Sequence, residues 1–307
     1  MINALLLSIA GLVGLAIGGE LLVRGAVGIA QKLGVSTLFT GLVIVGAATS
    51  MPEMVASVQA ALEGSPGIAW GNIVGSNIAN TLLILGVAAL VTPIVLSGTG
   101  RRDAVVALGV TLVLWAVALA GIGAVWIGIV FLLGILAYIV WRYRYPGGAP
   151  IDPVEDEGAI SGVVSAGLFV GGLVILVLGG QALVSGAISL ATLLAVPETV
   201  IGLTVVAVGT SLPELAASVA AALRGKPGLA LGNVVGSNIY NILLIGGATM
   251  TIAPLPFPAE LAGLQMAILT ASAAGLLALL WFARRIGRAL GAVLLAAFIA
   301  NTALAFA

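Results

Sequence analysis

Apolar residues along this chain come in runs too long to line one face of a soluble domain and too continuous for the alternation of barrel strands. Ten runs stand out, at about 4–30, 37–62, 68–92, 104–121, 124–141, 162–194, 199–223, 228–252, 260–283 and 288–306, divided by short segments rich in helix breakers and charge. About 20 apolar residues in a helix cross a ~30 Å hydrocarbon layer. The pattern therefore predicts an all-α integral membrane protein of ten transmembrane helices. The first run lacks the Lys/Arg-rich start of a secretory leader, and it has an internal counterpart: "GLVGLAIGGELLVRGA" from Gly11 matches "GLVILVLGGQALVSGA" from Gly172. It is read as a span.

That counterpart belongs to a longer duplication with one offset, 161 residues. Thr49 to Gly86 matches Thr210 to Gly247 at 26 of 38 positions, among them Pro52/Pro213, Glu53/Glu214, Ser57/Ser218, Asn72/Asn233 and Asn80/Asn241. Each half then holds five spans. Because five is odd, the second copy enters the membrane from the opposite side, an inverted repeat with broken core helices. The expected organisation is a first five-helix half at 1–145 (repeated segment 41–90), a cytoplasmic linker at 146–160 and a second half at 161–307 (repeated segment 202–251). Cations favour cytoplasmic loops. Lys32, Arg101, Arg102, Arg142, Arg144, Arg224, Lys226, Arg284, Arg285 and Arg288 all fall beside odd-numbered connections. Both termini are accordingly expected outside the cytoplasm, in a multi-pass protein of the cell (inner) membrane.

Polar residues interrupt the second span of each half. "GAATSMPEM" from Gly46 and "AVGTSLPEL" from Ala207 each put a proline and a glutamate inside an apolar run. Proline removes a backbone donor and frees carbonyls near Ala48 and Gly209. At membrane depth such backbone is tolerated where it lines a cavity or binds an ion, and inverted-repeat transporters bind substrate at such breaks. Thr49, Ser50 and Glu53 fall within about one turn, as do Thr210, Ser211 and Glu214. Two carboxylates with many neutral oxygens suit a hard cation such as Ca²⁺, and Na⁺ uses similar groups. In the following spans Ser76/Asn80 and Ser237/Asn241 are i,i+4 pairs, each on one helical face. Alone they would read as helix-packing groups; beside a buried glutamate in both halves they read as site residues.

Composition narrows the chemistry. Only 7% of residues are charged and mean hydropathy is +1.28, against roughly 25% charged in a soluble domain. No cysteine and no histidine occur, which excludes disulfides, thiolate chemistry, a His-Glu-x-x-His zinc site and a Ser/His hydrolase. Scattered basic residues form no nucleic-acid patch. Glu20 and Arg24, spaced i,i+4, are expected to neutralise each other. The acidic connection "YPGGAPIDPVEDEG" from Tyr145 lacks EF-hand spacing and reads as a solvated linker, and Trp115, Trp126 and Trp141 read as membrane-interface residues.

The paired motifs "GAATSMPE"/"AVGTSLPE" and "GNIVGSNI"/"GNVVGSNI" resemble the two repeats of the calcium/cation antiporter superfamily, particularly prokaryotic sodium/calcium exchangers, over nearly the whole chain. The resemblance implies ion binding between the second and third helices of each half. It implies Ca²⁺ held by Glu53, Glu214, Thr49 and Thr210, and Na⁺ by Ser50, Ser76, Ser211, Ser237 and backbone oxygens near Gly46 and Ala207. Many such exchangers carry Asp where this chain has Asn241, so the site here has two carboxylates and a symmetric Asn80/Asn241 pair. The expected function is Na⁺/Ca²⁺ antiport by alternating access, electrogenic, with no cofactor, no enzymatic activity, no nucleic acid and no obligate protein partner; Ca²⁺, Na⁺ and the lipid bilayer are its partners. The rivals are a proton/calcium or potassium-dependent antiporter and a passive cation channel.

Overall fold

The computed structural model describes residues 2–62, 64, 66–96, 100–145, 161–193, 207–254 and 256–305. The expected linker at 146–160 and the start of the seventh run, at 199–206, lie outside the described residues. Among those described, seven helices are long and apolar enough to cross a membrane, eight if the bent pair Thr40–Thr49 and Met51–Leu62 is one span.

The main helices are α1 (Ile2–Leu33), α2 (Met51–Leu62), α3 (Pro66–Ala79), α4 (Arg101–Ala120), α5 (Val125–Arg144), α6 (Gly162–Leu193), α7 (Leu212–Leu223), α8 (Pro227–Tyr240), α9 (Leu264–Phe282) and α10 (Arg288–Ala305). Wherever residues are described, helices occupy the apolar runs to within a few residues. α3 continues through a π-helical turn at Asn80–Ile84 into Leu85–Val91, and α8 through Asn241–Gly246 into Gly247–Ile252. A third π turn, Thr40–Val45, precedes the first break.

Three packing relations position the centre. First, α1 and α6 lie on each other along most of their length in opposite directions, because glycines let the backbones meet. A Cβ on Gly18 would fall 2.6 Å from Leu176 N and 2.9 Å from Gly172 O. Second, Thr37–Val45 packs on α8, where Gly41 and Gly232 approach so closely that a Cβ on Gly41 would lie 3.0 Å from Gly232 Cα. Third, α10 covers Leu85–Val91 and α5 covers Gly247–Ile252, so each half's last helix clasps the other half. A two-strand ribbon, Ile94–Val95 with Arg285–Ile286, joins the halves again.

The coverage of the two broken helices is unequal. α1 runs along α7, with a Cβ on Gly19 meeting Ala216 O at 3.1 Å, and Gly180 on α6 faces Leu212 and Pro213 of the same helix. Neither long helix packs comparably on α2 among the described residues. Val55 on α2 is consequently 67% exposed, while Ala216 at the matching position is half-buried.

The expected Glu20–Arg24 pair is not what forms. Glu20 instead accepts from Arg224, Nε at 2.7 Å and Nη2 closer still, and Arg24 is exposed. The reason is the same packing: with α1 on α7, Arg224, the residue that follows the end of α7, presents its guanidinium to Glu20. Of the expected interfacial tryptophans, Trp126 is exposed, whereas Trp115 Nε1 donates to Ala262 O at 2.8 Å.

Candidate ion-binding site

Each break falls at a serine. Ser50 has φ −81°, ψ 3° and Ser211 φ −89°, ψ 5°, so the helix stops for one residue and restarts ahead of Pro52 and Pro213. Proline is tolerated there because the first turn of a helix has no use for its missing N–H. The restart puts Glu53 and Glu214 in the first turn of α2 and α7, where the helix N-terminus favours negative charge.

The two halves meet at these breaks and exchange hydrogen bonds. Ser50 Oγ donates to Glu214 Oε1 at 3.3 Å, and Ser211 Oγ to Glu53 Oε1 at 3.2 Å. Thr49 Oγ1 lies 3.3 Å from Asn233 Oδ1, and Thr210 Oγ1 lies 3.5 Å from Asn72 Oδ1. Ser211 Oγ is also 3.5 Å from Ser76 Oγ. The asparagine amides complete the pattern: Asn72 Nδ2 donates to Glu53 O at 3.2 Å and Ser57 Oγ at 2.9 Å, and Asn233 Nδ2 to Glu214 O and Ser218 Oγ at the same two distances.

Of the residues singled out from sequence, Thr49, Ser50, Glu53, Ser76, Asn80, Ser211, Glu214, Ser237 and Asn241 are all buried, and Thr210 is half-buried. Gly46 is buried at the head of its helix, a Cβ there falling 3.1 Å from Ser237 N; Ala207 opens the matching short helix. Hydrogen bonds across the halves join seven of these side chains, either to one another or to Asn72 and Asn233. For Asn80, Asn241 and Ser237 no such bond forms among the described residues, where Asn80 Oδ1, Asn241 Oδ1 and Ser237 Oγ are buried without a partner, as are Glu53 Oε2 and Glu214 Oε2.

That set of atoms has a common chemistry. Nearly all buried polar groups find a partner, and a buried carboxylate oxygen without one is costly. Neither glutamate joins an ion pair among the described residues: the two that form are Glu20–Arg224 and Asp103–Arg142. Nor does a group of three or more His, Cys, Asp or Glu come together among the described residues. Two carboxylates, hydroxyls and amide oxygens are hard ligands that fit Ca²⁺ or Na⁺ and not a soft metal.

Sequence reasoning counted Asn72 and Asn233 as matching positions without giving them a role. Their spacing, 19 residues after the glutamate in both halves, was the available signal. It also passed over Asp103, which accepts from Tyr138 Oη at 2.9 Å and lies 2.7 Å from Arg142 Nε as an ion pair.

A helical bundle of apolar spans with two buried glutamates at paired helix breaks fits a membrane cation exchanger. The family of the sodium/calcium exchanger protein matches residues 3–144 and 164–307, and the chain belongs to it. It is 38% identical to the putative antiporter CaxA of Alkalimonas amylolytica, covering 100% of this chain and 99% of that protein. It is 34% identical to the sodium/calcium exchanger MaX1 of Methanosarcina acetivorans, covering 83% and 84%. Its fold superposes on the crystal structure of the sodium-calcium exchanger NCX_Mj soaked with 10 mM Na⁺ and zero Ca²⁺, with a TM-score of 0.85, 34% identity and 98% of each chain covered. The protein is thus a multi-pass membrane antiporter of the calcium/cation exchanger type.

Proposed function

We propose that the protein exports Ca²⁺ in exchange for Na⁺ through one shared site at the two breaks. The observation that carries this reading is the pair of buried glutamates, each bonded through one oxygen to the other half's serine and unpartnered at the second. Glu53, Glu214, Thr49 and Thr210 hold Ca²⁺. Ser50, Ser211, Ser76, Ser237, the amide oxygens of Asn80 and Asn241 and carbonyls near Gly46 and Ala207 complete the Na⁺ positions. The same oxygens cannot serve a Ca²⁺ and a full set of Na⁺ at once, so one ion displaces the other.

In this reading the chain has ten spans in two inverted halves, 1–145 and 161–307 joined by 146–160, with both termini outside the cytoplasm in the cell membrane. No enzymatic step is involved. The α1/α6 pair moves over the broken helices, which its continuous mutual packing and one-sided contact with α7 support. Loading lowers the barrier to that motion, because Ca²⁺ or two Na⁺ neutralise the two carboxylates. A third Na⁺ on neutral oxygens makes each cycle carry one charge, worth about 2.3 kcal/mol per 100 mV.

The test is ⁴⁵Ca²⁺ uptake into sealed proteoliposomes. An outward Na⁺ gradient should drive uptake that responds to a valinomycin-set potential. Uptake driven equally by a pH gradient without Na⁺ would give the function to proton exchange, and uptake with no opposing ion would make the protein a channel.

A further inference from the structure

Asn72 and Asn233 repeat the same contacts in both halves although neither is a site carboxylate or hydroxyl. Asn233 Nδ2 has two acceptors, Glu214 O at 3.2 Å and Ser218 Oγ at 2.9 Å, which turns its Oδ1 toward Thr49 of the opposite half. Thr49 Oγ1 is then surrounded by acceptors: Asn233 Oδ1 at 3.3 Å, its own Val45 O at 3.1 Å and the Glu214 carboxylate. A hydroxyl has one proton and two lone pairs. With the proton on Val45 O or Asn233 Oδ1 and not on Glu214, the lone pairs are left for a cation. Asn72 repeats the arrangement toward Thr210, with Oδ1 and Oγ1 3.5 Å apart.

The serines show the opposite polarity. Ser50 and Ser211 donate their protons to the carboxylates themselves, so they must turn when a cation takes those oxygens, whereas Thr49 has Val45 O and Asn233 Oδ1 beside the Glu214 carboxylate as acceptors for its proton. We infer that Asn233 and Asn72 are positioning residues that hold the Thr49 and Thr210 hydroxyls as lone-pair donors to Ca²⁺, each tying the other half's threonine to the main chain of its own half's glutamate. This rests on the Ca²⁺ role proposed above for the threonines.

A purely structural role, pinning α3 to α2 and α8 to α7, would predict that loss of the asparagine hurts equally whether or not the threonine hydroxyl is present. The double-mutant cycle separates the two. Ca²⁺ dissociation constants are read from Ca²⁺-dependent thermal unfolding of the purified full chain. Asn233→Ala should weaken Ca²⁺ by about tenfold, the scale of one lost hydrogen bond, but by less than about twofold in a Thr49→Val background. In Thr49→Ser, which keeps the hydroxyl, and in Thr210→Val, the wrong half, the tenfold effect should persist. The same factor in every background would overturn the inference. Should Asn233→Ala fail to fold, the mirror cycle of Asn72→Ala with Thr210→Val reads the same coupling. Because the cycle reports binding, a wild type that binds Ca²⁺ without Na⁺-driven uptake would defeat the exchange reading and leave the cycle to decide this one; a wild type with no Ca²⁺-dependent stabilisation would overturn both.

Discussion

Two acidic centres are buried to the same degree and built in opposite ways. Asp103 is 1% exposed and has Arg142, itself 2% exposed, beside it, with the Tyr138 hydroxyl as a second partner. Glu53 and Glu214 are 2% and 1% exposed and, among the described residues, have only hydroxyl and backbone donors, with one oxygen of each left over. Taking a charge out of water is expensive unless a partner compensates it. Asp103 carries its partner in the chain, fixing α4 to α5. In the proposed function the glutamates take theirs from solution, which would separate an acid that holds a fold from an acid that holds a cargo.

The comparison can be broken at either centre. Removing a partner of a buried charge pair costs about 2–5 kcal/mol, so Glu53→Gln or Glu214→Gln should reduce Na⁺-driven ⁴⁵Ca²⁺ uptake by roughly thirtyfold or more while the melting temperature in detergent holds or rises. A variant that loses uptake only because it unfolds would put these residues in the Asp103 class. At Asp103 the outcome should invert. Arg142→Met leaves a buried carboxylate unpaired and should destabilise the fold by about 3–5 kcal/mol, read as a large drop in melting temperature, with Ca²⁺ affinity unchanged within about twofold. Asp103→Asn together with Arg142→Met should recover most of that stability.

A third acid sharpens the contrast because it is only partly buried. Glu20 and Arg224 have side chains 43% and 23% exposed, and such pairs contribute about 0–1 kcal/mol. Its leverage lies in where it sits, between the long helix α1 and the broken helix α7. The matching positions of the other half are Gln181 and Glu63, which cannot form an ion pair. The contact therefore favours the arrangement in which α1 covers α7. Glu20→Gln should raise thiol labelling of Ala220→Cys, introduced into this cysteine-free chain, by up to about fivefold; unchanged labelling would mean that the pair does not bias the helix position.

Much of this is legible in the sequence. Continuous apolar runs fix helix ends well when breakers flank them, as at 68–92 against Pro66–Val91 and 124–141 against Val125–Arg144. The candidate site is legible because its chemistry is local and duplicated: Thr49, Ser50, Pro52 and Glu53 lie within five residues and recur 161 residues later. What stayed hidden was set between distant segments. Spacing rules offer Glu20 only partners on its own helix, so they chose Arg24, while the helix stacking brought Arg224. The asparagines were hidden for the same reason, since an amide bridging Glu214 O to Thr49 is defined only once the halves meet. The π turns after Ala79 and Tyr240 have no periodic signature in so uniformly apolar a stretch.

The central claim is that Glu53 and Glu214 form one site that Ca²⁺ and Na⁺ cannot fill together. Equilibrium ⁴⁵Ca²⁺ binding to the purified chain, titrated with Na⁺ at constant ionic strength, tests it most directly. The account predicts complete displacement of Ca²⁺ with a dependence on Na⁺ steeper than first order, and no bound Ca²⁺ to displace in Glu53→Gln. Ca²⁺ binding that persists unchanged as Na⁺ rises would contradict a shared site.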